Sequence, residues 1–77
     1  MVETYNKVFK DTFELSADKI NETLEMKGTE DWDSVGHIRL VTAIEDAFDI
    51  MLEMEDILDF VSYEKGKVIL KKYGIEI

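Results

Sequence analysis

A chain of 77 residues folds as one domain and buries only about 60% of the surface that its unfolded form exposes, which argues against a large enclosed active site. With 45% hydrophobic and 35% charged residues the composition is globular, and the absence of cysteine excludes a disulfide framework, a thiolate metal site and a cysteine nucleophile. A formal charge of −9 repels nucleic acid and anionic membrane surfaces, so the expected partners are basic surfaces on other proteins.

The opening stretch MVETYNKVFKDTFEL is charged throughout and has no apolar run suited to a secretory signal or a membrane span, so a cytoplasmic location is expected. From about Glu3 to Glu14, the residues Tyr5, Val8, Phe9, Thr12 and Phe13 recur at helical spacing and predict an amphipathic helix with an aromatic face. Most of residues 15–33 reads as a long ordered loop, with one short helical turn allowed near Ile20 and Leu24. So long a loop in so small a domain calls for a functional reason. Trp32, near its end, reads as a loop anchor packing on the helices.

From Ser34 to about Asp49, the residues Val35, Ile38, Val41, Ile44, Ala47 and Phe48 follow helical spacing, and Leu40 widens the stripe. Asp33 and Ser34 are both good N-caps, so this helix should start at that pair. The segment from Glu55 to Phe60 fits one or two turns, and a last helix should run from about Ser62 to Tyr73 and stop at Gly74. Gly66 inside it implies a close helix crossing. The fold class is therefore all-α: a single domain over residues 1–77, built as a four-helix bundle with a short third helix and a long first loop, with a second long connection ahead of the third helix. Its expected core is Tyr5, Val8, Phe9, Phe13, Leu15, Leu40, Ile44, Phe48, Leu52, Ile57, Phe60, Leu70 and Tyr73.

Asp33-Ser34-Val35, followed by Gly-His-Ile-Arg-Leu-Val-Thr-Ala-Ile-Glu-Asp-Ala-Phe-Asp-Ile, resembles the attachment-site helix of acyl carrier proteins. Ser34, Leu40, Ala43, Ile44, Glu45, Asp46 and Phe48 stand at the matching places, and the similarity extends over essentially the whole chain. The resemblance implies a four-helix bundle of the acyl-carrier type and a monomeric, non-catalytic carrier. In such a carrier Ser34, preceded by Asp33, receives 4′-phosphopantetheine from coenzyme A through a magnesium-dependent phosphopantetheinyl transferase. The arm would then hold acyl or aminoacyl groups as thioesters. A phosphodiester at a helix N-terminus also meets free backbone N–H groups and the positive end of the helix dipole. The arm would supply the thiol that a cysteine-free chain lacks.

The implied partners are that transferase, an acyl- or aminoacyl-loading ligase, and synthases or transferases with basic docking surfaces. Glu45 and Asp46, within the acidic run that continues through Asp49, Glu53, Glu55, Asp56 and Asp59, would meet those surfaces, with Val35 and Ile38 as apolar contacts. Arg39 and Thr42 depart from the fatty-acid carriers, which usually have an acidic and a bulky apolar residue there. The pattern thus better resembles a specialised stand-alone carrier, and Arg39 would select a partner with a matching carboxylate.

Two other readings stay open: a small acidic cation-binding protein, and a helical interaction module that is never modified. Asp31, Asp33, Gly36 and Ile38 match four positions of a calcium loop, but Val35 and Thr42 stand where two ligands are needed, so no metal site is expected. His37, the sole histidine, has no serine–carboxylate partners in a catalytic pattern and is expected at the surface beside the cofactor.

Overall fold

The computed structural model describes all 77 residues, in four α-helices and one isolated 3-10 turn. Helix α1 spans Val2–Phe13, α2 Ser34–Phe48, α3 Met54–Asp59 and α4 Tyr63–Lys72, and the 3-10 turn is Ala17–Lys19. The chain is all-helical, and no helix is long and apolar enough to cross a membrane.

The aromatic face of α1 explains the main packing, that of α1 on α2. Tyr5, Phe9 and Phe13 lie on one stripe of the helix and are buried together with Leu40 and Ile44 of α2. Phe9 sits edge-on to both Tyr5 and Trp32, and Phe13 stacks on Trp32 with centroids 5.4 Å apart. Such ring pairs add to area burial and fix relative orientation. Trp32 is only 2% exposed, which makes the expected loop anchor a core residue.

The long first loop is further held by backbone pairing with the junction between α3 and α4. Met26 N–H donates to the Val61 carbonyl at 2.8 Å, and Tyr63 N–H donates to the Leu24 carbonyl at 2.9 Å. Buried backbone groups need partners, and these two bonds supply them where no helix exists. The connection between α2 and α3 is short, contrary to the long one expected, because it is folded tightly by side-chain bonds. Asp49 takes a left-handed conformation with φ 54°, Ile50 N–H returns to the Glu45 carbonyl at 3.1 Å, and Leu52 N–H donates to Glu45 Oε2 at 2.9 Å.

Ser62 caps α4 by accepting from Lys65 N–H at 2.9 Å. At the other end Gly74, at φ 84°, allows Gly74 N–H to reach the Lys71 carbonyl and Ile75 N–H to reach the Leu70 carbonyl. This is the Schellman arrangement, and the residue after the glycine, Ile75, folds back into the core.

The core differs from expectation at its edges. Leu15, Phe48, Ile57 and Tyr73 are half-buried and pack around the core, because each lies in a loop, near a helix end, or with a polar tip turned to the surface. Leu24, Trp32, Val41, Tyr63, Ile69 and Ile75 complete the buried set.

Gly66 is the point where α4 approaches α1 and the end of α3. A methyl group on it would lie 2.2 Å from Tyr5 Oη and 2.5 Å from the Phe60 ring, so the crossing tolerates only hydrogen. Tyr5 Oη is itself committed, donating to the Tyr63 carbonyl at 2.6 Å. Gly66→Ala is therefore expected to destabilise the fold by about 1–3 kcal/mol through overpacking. That loss outweighs the ~1 kcal/mol by which alanine is the better helix former. Denaturant titration of the two proteins measures the difference, and a more stable variant contradicts the close crossing.

Candidate functional site

The start of α2 is built so that its cap is not its most accessible hydroxyl. Asp33 is extended and its Oδ1 accepts from Gly36 N–H at 2.8 Å, while its carbonyl accepts from His37 N–H at 2.7 Å. With the capping role taken by Asp33, Ser34 becomes the first helical residue, exposed, with no intramolecular hydrogen bond to its hydroxyl. The Ser34 and Val35 amides point out of the first turn without an acceptor in the chain, as the first N–H groups of a helix do.

The position of Ser34 is fixed by what lies two residues on. Gly36 is buried, and a Cβ there would stand 2.0 Å from the Asp31 carbonyl oxygen and 3.2 Å from the Phe13 ring. The incoming loop thus crosses directly over α2. Val35 and Ile38, flanking the site, are 68% and 66% exposed.

His37 is not the surface residue expected. It is half-buried, its Nδ1 accepts from Trp32 Nε1–H at 3.0 Å, and its Nε2 lies 2.7 Å from the Ile57 carbonyl. The two bonds require the neutral tautomer with the proton on Nε2, because Nδ1 must accept and the carbonyl can only accept. Both nitrogens are thereby occupied, so His37 is not poised to take a proton from Ser34. Nor does the Asp33 carboxylate have the serine as its partner. Ser34 is an accessible hydroxyl with neither His37 nor Asp33 as a partner.

The remaining candidate residues divide into two kinds. Arg39 is exposed, yet its guanidinium donates to the Thr12 carbonyl at 3.1 Å, bringing a cation to the negative end of α1. Glu45 is half-buried and spends one carboxylate oxygen on Leu52 N–H. Asp46 is exposed on the same stretch of α2, beside a shallow groove with Thr4, Lys7 and Val8 of α1. At 1.5 Å rise per residue, Asp46 lies about 18 Å along the helix from Ser34.

Of the acidic run, Asp49, Glu53, Glu55 and Asp59 are exposed, whereas Asp56 is 4% exposed. Its carboxylate accepts from Lys72 Nζ and, at 2.6 Å, from Tyr73 Oη–H, and Tyr73 Oη accepts from Glu53 N–H at 2.9 Å. The sequence offered no local signal for these roles, since the partners lie far apart along the chain. No three histidine or carboxylate side chains converge as a metal ion would require.

Comparison of the chain with protein-family models, with curated proteins and with solved structures returns no match.

The bonds from Lys72 and Tyr73 hold the Asp56 carboxyl below its usual pKa and raise that of Lys72. A carboxyl with a lowered folded-state pKa stabilises above its unfolded pKa, and that contribution is lost as the pH falls through the folded value. Asp56→Asn should accordingly lower Tm at neutral pH, with the gap to the wild type closing below about pH 4. Thermal melts of both proteins across that range check it; a gap that persists at low pH would mean that packing, not the ionised bond, is lost.

Proposed function

We propose that this chain is a non-catalytic carrier that holds acyl or aminoacyl groups on a 4′-phosphopantetheine arm attached to Ser34. The observation that carries this reading is the division of labour at the start of α2. Asp33 caps the helix, so the exposed Ser34 hydroxyl and the two amides beside it are left without partners. The residues fit the group: a phosphodiester on Ser34 Oγ would stand in solvent, within reach of those N–H groups and the helix dipole, and would displace no internal bond. When bound, the arm supplies a thiol on a flexible tether, the group that 77 residues without cysteine do not provide.

The roles of the neighbouring residues follow. Val35 and Ile38 form an apolar contact beside the serine for a phosphopantetheinyl transferase, a loading ligase or a synthase. Asp46 and the exposed carboxylates of the α2–α3 region attract a basic rim on those enzymes, acting mainly on the rate of association. Arg39 and Glu45 are less free to reorient toward a partner, because each already holds a backbone group of the fold. The pathway served is a specialised one rather than housekeeping fatty-acid synthesis, in keeping with Arg39 and Thr42 on the docking helix. Cation binding is not favoured, given the lack of converging ligands.

Incubation with coenzyme A, magnesium and a broad-specificity phosphopantetheinyl transferase, followed by intact-mass analysis, tests the assignment. Wild type should gain one phosphopantetheine and Ser34→Ala none; an unmodified wild type would return the chain to the class of unmodified interaction modules. Asp46→Lys isolates the electrostatic part, since Asp46, unlike Glu45, holds no backbone group. It is expected to slow modification several-fold at low salt, with the difference from wild type vanishing at high salt. An Asp46→Lys rate equal to wild type at every ionic strength removes this residue from the docking surface.

A further inference from the structure

The interior beneath Ser34 is closed along every seam that leaves it. Toward α3, His37 Nε2–H donates to the Ile57 carbonyl at 2.7 Å. Toward the preceding loop, Trp32 Nε1–H donates to His37 Nδ1 at 3.0 Å, and the two rings stack at 17°. Gly36 lies too closely against the Asp31 carbonyl of the loop and the Phe13 ring of α1 to admit a methyl group, and Arg39 is tied to the Thr12 carbonyl of α1. Behind these seams the space is occupied by the rings of Tyr5, Phe9, Phe13, Trp32 and Tyr63, with Phe9 in contact with all four of the others.

The surface hollows lie elsewhere. They open to solvent along α1, between α1 and the C-terminal half of α2, along the first loop, and at the C-terminal end of α4. None is lined by a residue between Asp31 and Thr42, or between Phe48 and Gly66. A group tethered at Ser34 therefore finds no apolar hollow at the α2–α3 junction. To enter there it must break both hydrogen bonds of His37 and part the Trp32–His37 stack.

Resting on the carrier reading of Ser34, the geometry points to a cargo that stays outside the helices: a short or polar acyl group, aminoacyl groups included, rather than a long alkyl chain. The His37–Trp32 pair is the specificity-determining element, because it holds α3 and the loop against α2. A long alkyl chain left in water gains nothing from such a carrier, since removal from water is what would favour its entry. A charged or hydrogen-bonding cargo loses nothing by remaining solvated.

The test loads the chain with two arms of different length. A broad-specificity transferase acting on acetyl- or decanoyl-coenzyme A joins Ser34 Oγ to the phosphate of the acylated arm and releases 3′,5′-adenosine bisphosphate, with the hydroxyl proton passing to solvent. Hydroxylamine cleavage of each thioester, followed by intact mass, then reports shelter. Equal rates for the two, with the Leu40 and Ile44 methyl NMR signals unmoved, are expected. A decanoyl thioester cleaved several-fold more slowly, with those methyl signals shifted, overturns the inference but not the carrier reading. Failure of both donors to load the chain overturns the carrier reading itself. His37→Ala should open the seam and give the decanoyl thioester protection that the acetyl one lacks, and His37→Gln, which keeps a donor and an acceptor, should restore equal rates. A His37→Ala protein that still cleaves both at the same rate removes the specificity role from His37.

Discussion

Burial of Trp32 ties the long first connection to the helices, and the geometry at the start of α2 depends on that tie. The indole inserts between the loop and α1, stacks on Phe13 and meets Phe9 edge-on, while its N–H goes to His37. Burying a large ring with its single donor satisfied favours one arrangement over the many open to a loop. The crossing of the loop over Gly36 follows from it, because the chain has only a few residues in which to leave Trp32 and begin a helix. Asp33 is then placed to cap, and Ser34 to stand free. Rigid support under an accessible residue is what the proposed attachment site would need.

Charge is distributed on two levels in this protein. Some carboxylates do internal structural jobs: Asp33 caps α2, Glu45 holds the turn after it, and Asp56 joins α3 to α4 through Lys72 and Tyr73. The others are left on the surface of a chain whose nine basic residues do not balance its eighteen acidic ones. Self-repulsion among them works against compactness, and the aromatic core opposes it. The left-handed geometry at Glu14 and Asp49 adds local strain at the ends of α1 and α2, positions where glycine is the usual choice. The C-terminal ends of α1 and α2 are therefore not optimised for stability alone.

The helices were legible in the sequence because their apolar residues recur at the helical period, and their limits were marked by Asp33, Ser62 and Gly74. Each observed end lies within about a residue or two of its reading, the scale on which helix ends are defined at all. What periodicity could not show were residues whose partners come from other elements. Leu24 sits in an aperiodic loop and Ile75 beyond the final stop, yet both are buried by the loop–α4 pairing and the Schellman turn. Gly66, which a hydrophobicity pattern passes over between Tyr63 and Ile69, was legible in another way, since a glycine inside a helix implied the close crossing that is found there. At the site, Ser34 and Asp33 could be read from local pattern. The bonds of His37, Arg39 and Glu45 could not, since nothing in a helical repeat distinguishes a polar side chain facing solvent from one that crosses to a distant carbonyl or amide.

The fastening of α3 has a kinetic side. This six-residue helix turns Met54 and Leu58 to solvent and presents inward only a half-buried Ile57 and the Asp56 carboxylate. It is held to its neighbours by side-chain bonds to His37, Lys72 and Tyr73 more than by an apolar stripe. Segments of that kind form the low end of a protein's ladder of opening free energies, because they can detach without exposing the core. The amides of α3 would then exchange with solvent through brief excursions after which the His37 bond re-forms, while those in the middle of α1 and α2 need larger openings. One small protein would contain two cooperative units of very different lifetime, meeting at His37, three residues from Ser34.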